Sequence, residues 1–572
     1  MASMPPARKR ARHRVDTVKG TEGDEPISEL RNHNSKIAIL RFPPEILSKI
    51  SLDLKYKFMV DERSTRPHAW IRIAHVCYLW REAVLQSPQF WATFRVSSPE
   101  VTREFLKRSK VVPLAIKVQS QISSYFKDVK SPPAPEDSLV EVFRAFPRIQ
   151  DIELNLTLHQ YNQLQIRPGF PRDVQNLHSI TLRREMQGNS DTVAGWTIPS
   201  IFDSCPVPAA LTHLTIEKYA VNWGNHLFAP TITHLVINCF TATAYGMGDI
   251  FDSLRKMPNL VHLSLSFTRT SKGLTARPPK PAKPVNLPKL SYLFLCDTVT
   301  FCAHILPCLD FPSTTVLNIK IPDLKKQPDV APLGPVIFQK LTRDPSLPPI
   351  MTAGLWQQFE YPTCDHVGVH MSFWRKMRTT NYHPVDGYKE QPPLHIHIAG
   401  RFPKAAAAIF QELPLFAPLR DVQILFLGGA NWGFKSPWKA TLAQMPSIET
   451  LYLWSIDIKT FLRHLAAAIP DTREAAATLP KLQELILEKI GFNGTMLSRL
   501  PTVCENRQNA GYGPKVLRFK ECSNMIMDRE WKRCRPFVGE LDWDDCDDIN
   551  SSISDSEEEP HDQWDYSQYL DW

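Results

Sequence analysis

"LPKLSYLFL", residues 287–295, and "LPKLQELIL", residues 479–487, are nearly the same phrase written twice, far apart in one chain of 572 residues. Each places a proline two positions before an apolar residue and spaces two more apolar residues three and five positions on: Leu290, Leu293 and Leu295, then Leu482, Leu485 and Leu487. The closing alternation is what a short strand with one buried face needs. The same spacing recurs at Ile149-Ile152-Leu154, Leu177-Ile180-Leu182, Leu211-Leu214-Ile216, Ile232-Leu235-Ile237, Leu260-Leu263-Leu265, Leu419-Val422-Ile424 and Ile448-Leu451-Leu453. Within each group the copies start 21 to 34 residues apart, and Pro147, Pro230, Pro258, Pro288, Pro446 and Pro480 hold the upstream position. A chain that is 43% hydrophobic yields single hexamers of this kind by chance, but not a spaced series with a shared proline. The proline is expected to end the preceding helix and hand the chain to the strand.

In spacing the series resembles leucine-rich repeats. The resemblance implies a solenoid of parallel strands inside and helices outside, each unit burying a face that it cannot bury alone. The Asn or Cys usual three positions after each strand is missing, as at Thr268 and Thr298, so the repeats are expected to be irregular with looser turns. They are placed over 97–535, with insertions near 268–286 and 321–393. The first, TRTSKGLTARPPKPAKPVN, is basic, proline-rich and without apolar period, which predicts an extended loop. The second lacks a clean repeat but contains Trp356, Phe359 and Trp374.

Ahead of the repeats, RFPPEILSKI (41–50) sets two prolines before an apolar and charged run of helical spacing. Proline is tolerated in the first helical turn, so Pro43 and Pro44 are read as starting a helix that the polar DERSTRPH (61–68) breaks off. A second run, 70–91, places Trp70, Ile73, Val76, Cys77 and Trp80 on one expected helical stripe, with Ser87 and Pro88 ending it or opening a short further turn. The succession of a PPEIL helix, an I-x-x-V-C-x-x-W-R helix and A-L-x-S-P-x-F-W resembles the F-box domain, particularly the F-box-like form of mushroom-forming (basidiomycete) fungi. Phe42 stands where leucine is commoner, and 51–69 is a longer link than a compact F-box has. The expected fold class is therefore α+β and α/β repeat: a small helical F-box over 37–96 and an irregular leucine-rich-repeat solenoid, between a disordered basic arm (1–36) and an acidic disordered tail (536–572).

What the F-box resemblance implies is docking on a helical adaptor of the Skp type, and through it on a cullin–RING scaffold. The residues expected to carry it are Phe42, Pro43, Pro44, Glu45, Ile46, Leu47, Ile50, Val76, Cys77 and Trp80. Their apolar surface is more than so small a domain covers by itself. The repeats, by the same resemblance, hold a protein substrate whose identity the sequence does not reveal. Outward positions His213, His234, His262 and Tyr452 are the candidates for touching it, the three histidines occupying equivalent places just before the second apolar residue of their repeats.

Net charge is +8, but the last 33 residues, from Glu540, hold 13 Asp or Glu and no Lys or Arg, which leaves the remainder near +21. That remainder spreads its charge rather than gathering it into a stripe, so nucleic-acid binding is not expected. The basic run RKRARHR, with Arg8, Lys9, Arg10 and Arg12, reads as a nuclear-localisation signal or a solvated tail. Ser554 and Ser556 each precede an acidic residue by three positions, the pattern of acidophilic kinase sites. No apolar run is long enough to span a membrane, and the scattered cysteines read as reduced thiols of an intracellular protein, nuclear or cytoplasmic. His395 and His397, and Cys302, His304 and Cys308, lack a second pair at zinc-ligand spacing, so no metal and no cofactor is expected. With no nucleophile or phosphate-loop motif, the chain is expected to be non-catalytic: the substrate-recognition subunit of an SCF-type ubiquitin ligase. The alternatives are a non-ligase F-box scaffold and a nucleic-acid-associated nuclear factor.

Overall fold

The computed structural model of the chain describes residues 37, 42–60, 68–118, 136–157, 159–162, 174–184, 197–198, 202, 208–238, 247–267, 283–324, 329–359, 367–377, 392–400, 405–429, 438–456, 458, 461–462, 465, 479–492, 499–523 and 529–544. The basic run with Arg8, Lys9, Arg10 and Arg12, the serines Ser554 and Ser556, and most of 268–286 lie outside them. The chain divides into two compact units, 1–177 with 204–206, and 178–203 with 207–572.

In the first unit the prolines start a helix as expected. The Pro43 carbonyl accepts from the N–H groups of Ile46 and Leu47, at 3.0 and 3.2 Å, and α1 runs Pro44–Val60. The run after residue 69 is not one helix, however. It is a 3-10 turn over Ala69–His75, then an extended Cys77 (φ −161°, ψ 178°), then α2 (Tyr78–Gln86). Arg81 Nε donates to the Ala74 carbonyl at 3.1 Å and so satisfies an acceptor beside the break. The consequence is that Trp70, Ile73 and Trp80 are buried while Val76 is 64% exposed, so the five residues read as one stripe do not share a face. Pro88 opens α3 (Pro88–Ala92), followed by β1 (Thr93–Arg95), α4 (Pro99–Arg108), β2 (Leu114–Val118), α5 (Glu136–Arg144) and β3 (Ile149–Leu156). The strands pair in parallel, β1 on β2 and β2 on β3.

The core of this unit is aromatic. Trp70, 1% exposed, meets the rings of Phe90, Trp91 and Phe105 at centroid distances of 5.0, 5.8 and 5.5 Å. Lys55 of α1 reaches into this cluster: its ammonium lies 4.2 Å from the Trp70 ring centre and donates to the carbonyls of Phe90 and Thr93. Burial lowers the Lys55 pKa to about 7.

The second unit is built of strands returned by turns and helices in an α/β solenoid-like arrangement. Its first strands are β4 (Ser179–Arg184), β5 (His213–Glu217) and β6 (His234–Asn238), then α6 (Met247–Arg255) and β7 (His262–Ser266). After them come β8 (Val285–Asn286), β9 (Tyr292–Cys296), α7 (Val299–Ile305), β10 (Leu309–Asp310) and β11 (Val316–Leu324). Strands β4, β5, β6, β7, β9 and β11 pair in parallel in that order, in register, with the leucines and isoleucines of the hexamers on the buried face. Residues 285–286, expected to close a loop, form a short parallel pair with β10.

The upstream prolines sit second in tight turns. The N–H groups of Ile232, Leu260, Leu290 and Leu482 donate to the carbonyls of Ala229, Met257, Leu287 and Leu479, three residues back and just before each proline. Proline's fixed φ suits that position of a turn. At the other end of the strands, Lys218, Gly429, Ser455 and Lys489 take left-handed conformations (φ 63°, 89°, 48° and 50°) and donate their N–H to the last carbonyl of the following strand. Backbone bonds thus tie repeat to repeat where an asparagine side chain is missing. Left-handed strain at a non-glycine residue costs roughly 1 kcal/mol. Ser455→Gly and Lys489→Gly are therefore expected to raise stability by about 0.5 kcal/mol each, the relief less glycine's greater freedom when unfolded. Urea midpoints check this, and an unchanged or lower midpoint in both would show the turns to be unstrained.

Residues 321–393, expected as an insertion of unassigned structure, contain ordered strands that reverse the order of the sheet. After α8 (Gly334–Thr342) come β12 (Thr352–Phe359), β13 (Val367–Trp374) and β14 (Leu394–Gly400). β14 pairs back on β11 in parallel, β13 lies antiparallel between β14 and β12, and β12 takes the next repeat strand, β15 (Ile424–Gly428), in parallel after α9 (Ala405–Phe416). The rest add in chain order: α10 (Trp438–Leu442), β16 (Thr450–Trp454), β17 (Glu484–Glu488), α11 (Arg499–Asn509), β18 (Val516–Lys520) and β19 (Glu540–Trp543). The acidic tail, expected from 536, thus begins later than that, because Glu540 and Asp542 of β19 pair with Arg518 of β18.

Candidate partner-binding surfaces

Helix α1 is amphipathic with both stripes unusual. Leu47, Ser51 and Lys55, at i, i+4 and i+8, are its buried face. Ile46, Ile50, Leu54 and Phe58, at the same spacing one residue earlier, are turned outward: Ile46 is 42% exposed, Phe58 43%, Leu54 lies at the same level and Ile50 is half-buried. Tyr78, Leu79 and Leu85 of α2, together with Phe42, Tyr56 and Val76, are also exposed. Ten of the fourteen large apolar side chains exposed among the described residues fall between Ile37 and Leu85. An exposed leucine is ordinary, whereas a row of apolar residues along a helix marks an interface.

The residues read as adaptor contacts divide accordingly. Phe42, Pro43, Pro44, Glu45, Ile46 and Val76 are exposed, and Ile50 and Cys77 half-buried. Leu47 and Trp80 are buried in the unit's own core, 2% and 5% exposed, and are corrected to structural residues. Leu54, Phe58, Tyr78, Leu79 and Leu85 were not singled out from the sequence. The spacing Ile46-Ile50-Leu54-Phe58 was legible there as a helical stripe, but spacing alone does not say which face is covered.

In the second unit, the sheet face opposite the leucines carries a ladder. His213, His234, His262 and Tyr292 stand in register on β5, β6, β7 and β9. Their rings stack at centroid distances of 4.2, 5.8 and 4.6 Å, with planes within 17° of parallel. His213 is exposed, and the other three are half-buried. Thr212 and Thr233 set the rings of the residues that follow them, through contacts of 2.8 Å to His213 Nδ1 and 2.9 Å to His234 Nδ1. Burial and the neighbouring imidazoles hold His234 below the usual histidine range and His262 down to about 4. The Tyr292 hydroxyl accepts from Asn318 Nδ2 at 3.2 Å.

Tyr452, placed with these histidines from the sequence, is not available to a partner. It is 2% exposed, its hydroxyl donates to the Glu488 carboxylate, and its ring lies 5.1 Å from that of Phe426. The cause is that β15, β16 and β17 carry apolar side chains on both faces: Ile424, Phe426, Tyr452 and Ile486 form one buried cluster.

His395 and His397 do share a strand face, on β14, and meet β13 and β12: His370 stacks on His397 at 4.3 Å and on Trp356 at 5.2 Å. Gly368 makes the room, since a methyl group there would fall 2.7 Å from His397 Nε2. Burial holds His370 well below the ordinary range and His395 down to about 3. Cys302 and His304 lie on α7, the first buried and the second accounted for by the Thr300 carbonyl, while the Cys308 thiol donates to the His304 carbonyl. Among the described residues no group of three or more His, Cys, Asp or Glu is placed to hold a metal ion, and no helix is long and apolar enough to cross a membrane. No protein-family model and no curated protein matches the chain.

Proposed function

We propose that the chain is the substrate-recognition subunit of an SCF-type cullin–RING ubiquitin ligase, with the N-terminal helices as an F-box. The observation that carries the reading is the exposed row Ile46, Ile50, Leu54 and Phe58 on α1, a surface suited to a helical Skp-type adaptor. The repeat unit then holds a protein substrate, and the chain's contribution is proximity: substrate lysines are kept at high effective concentration beside a thioester formed elsewhere, and no general base is required here. Phe42, 49% exposed, is accepted by the adaptor in place of the commoner leucine.

The test uses exposed positions, so that binding is lost without unfolding. Ile46→Asp with Leu79→Asp is expected to weaken adaptor capture by about a hundred-fold, the effect of two truncated anchors, while stability changes by less than about 0.5 kcal/mol. Capture from cells with adaptor and cullin both present supports the ligase. Adaptor without cullin would make the chain a non-ligase scaffold, and neither partner would sink the F-box reading. Salt-dependent binding to random duplex would favour a nuclear factor instead.

A further inference from the structure

On the sheet face opposite the leucines, β12, β13 and β14 set Trp356, His370 and His397 side by side in register, and Lys320 of β11 continues the row. His370 is the middle ring, its plane within 7° of both neighbours, and His395 lies 5.5 Å away on β14. Ser372 Oγ meets His395 Nδ1 at 2.7 Å, whereas among the described residues the buried Nδ1 of His370 has no hydrogen-bond partner. A neutral imidazole tolerates that position. An imidazolium carries N–H on both nitrogens, so protonation here would bury a charged donor with no acceptor, and its desolvation would go unrepaid. The Trp356 face favours a cation modestly, but the other groups facing the ring oppose one. They are His397 and His395 of β14 and Lys320 of β11, while β12 adds Gln358 and β13 itself Ser372, none of them an acid. Along the row on the β12 side the first carboxylate, Glu488 of β17, stands four strands away. Burial, then the two imidazoles and the ammonium, hold His370 well below its ordinary value of 6.5.

Among the described strands, β13 alone joins β14 to β12. We propose that His370 makes β13 a pH-sensitive latch: the neutral imidazole lets the strand lie between β12 and β14, and acid favours its release, which parts the sheet between the strands before the reversed segment and those after it. The sign follows from where the proton is held. The ring stays neutral in the closed sheet and takes a proton once β13 is released, so the latch is at full strength above about 6.5 and weakens as pH falls below that value. One such proton, taken up at the ordinary value of 6.5, multiplies the released population about ten-fold by pH 5.5. The latch stands on this sheet alone and does not depend on the adaptor reading of the N-terminal helices.

Amide hydrogen exchange of the full chain at about pH 7.5 and about pH 5.5, corrected for intrinsic rates, reads the latch strand by strand, with β16, β17 and β18 as the reference. Protection of β13 is expected to fall by about ten-fold or more on acidification, beyond any fall in the reference strands. His370→Phe keeps a ring between Trp356 and His397 but cannot take a proton, so its β13 protection falls about ten-fold less than that of the wild type. His370→Gln, whose amide does not titrate in this range, gives the same relief and serves should the phenylalanine variant not fold. No loss of β13 protection in the wild type, a loss of the same size in the reference strands, or the same loss in wild type and the substituted chain would each overturn the proposal.

Discussion

Trp70→Ala is expected to cost the N-terminal unit about 4 kcal/mol, the range for deleting a large aromatic from a packed core. Trp70 is nearly wholly enclosed and packs on the rings of Phe90, Trp91 and Phe105, so its loss leaves a cavity that α3 and α4 cannot both close. It also removes the nearer of the two rings over which the Lys55 ammonium lies, leaving that charge with the Phe90 ring and the Phe90 and Thr93 carbonyls. Hydrogen exchange in α1 and α3 during urea titration of the full chain measures it, and a loss under about 1 kcal/mol would show the cluster is not the core. A pH signature accompanies it. With its pKa at about 7 when folded and 10.5 as the ordinary value, Lys55 binds its proton more tightly unfolded, so its contribution to stability grows as pH rises from about 7 toward 10.5. Lys55→Met removes that part of the slope, and an identical slope in wild type and variant would contradict it.

Gly429→Ala carries the second large effect. Gly429 follows β15 with φ 89°, and a Cβ there would stand 2.0 Å from the Gln357 carbonyl oxygen, a backbone atom of β12 that no side-chain rotation can move. The strands would have to part at the seam where the reversed segment rejoins the repeats. A loss of about 3 kcal/mol or more is expected, combining left-handed strain with the lost pairing. Gly511→Ala is the control: φ is 81° but nothing lies within 4 Å of the added methyl, so only strain of about 1 kcal/mol is expected. Equal effects of the two substitutions, by chemical denaturation, would mean that contact with β12 is unimportant.

Much of the strand ladder was legible because one side of it obeys a simple rule. From Ile149 to Leu295 every hexamer ends in a strand whose second and third apolar residues are buried. The rule failed where its premise fails. At Leu419-Val422-Ile424 the series was read three residues early: Leu425 and Leu427 are the residues in register with Leu451 and Leu453, and Ile424 belongs to the other face. Strand β15 is apolar on both faces, so two registers fit the same letters. β11 escaped notice because Thr314 stands where an apolar residue is usual, and β18 because Pro514 does. The reversed strands β12 to β14 could not be ordered from spacing, since pairing between distant segments leaves no periodic mark. On the N-terminal helices the start at Pro43 and Pro44 was readable, but the break at Cys77 and the choice of buried stripe depend on tertiary contacts of Lys55 and Arg81. The histidine positions were readable as equivalent; that threonines orient two of them was not.

The reversed segment changes how this array can assemble. In a linear array of repeats each new unit needs only the one before it as a template, and folding advances by nearest-neighbour steps. Here β15 has no seat until β12 is in place, and β12 reaches β11 only through β13 and β14, which arrive later in the chain. The strands before and after the segment are thus two runs joined by a keystone laid in reverse. Growth from the N-terminal side must halt at β11 and wait for the closure of a loop that returns β14 from far along the chain, a step whose entropy is spent before any pairing repays it.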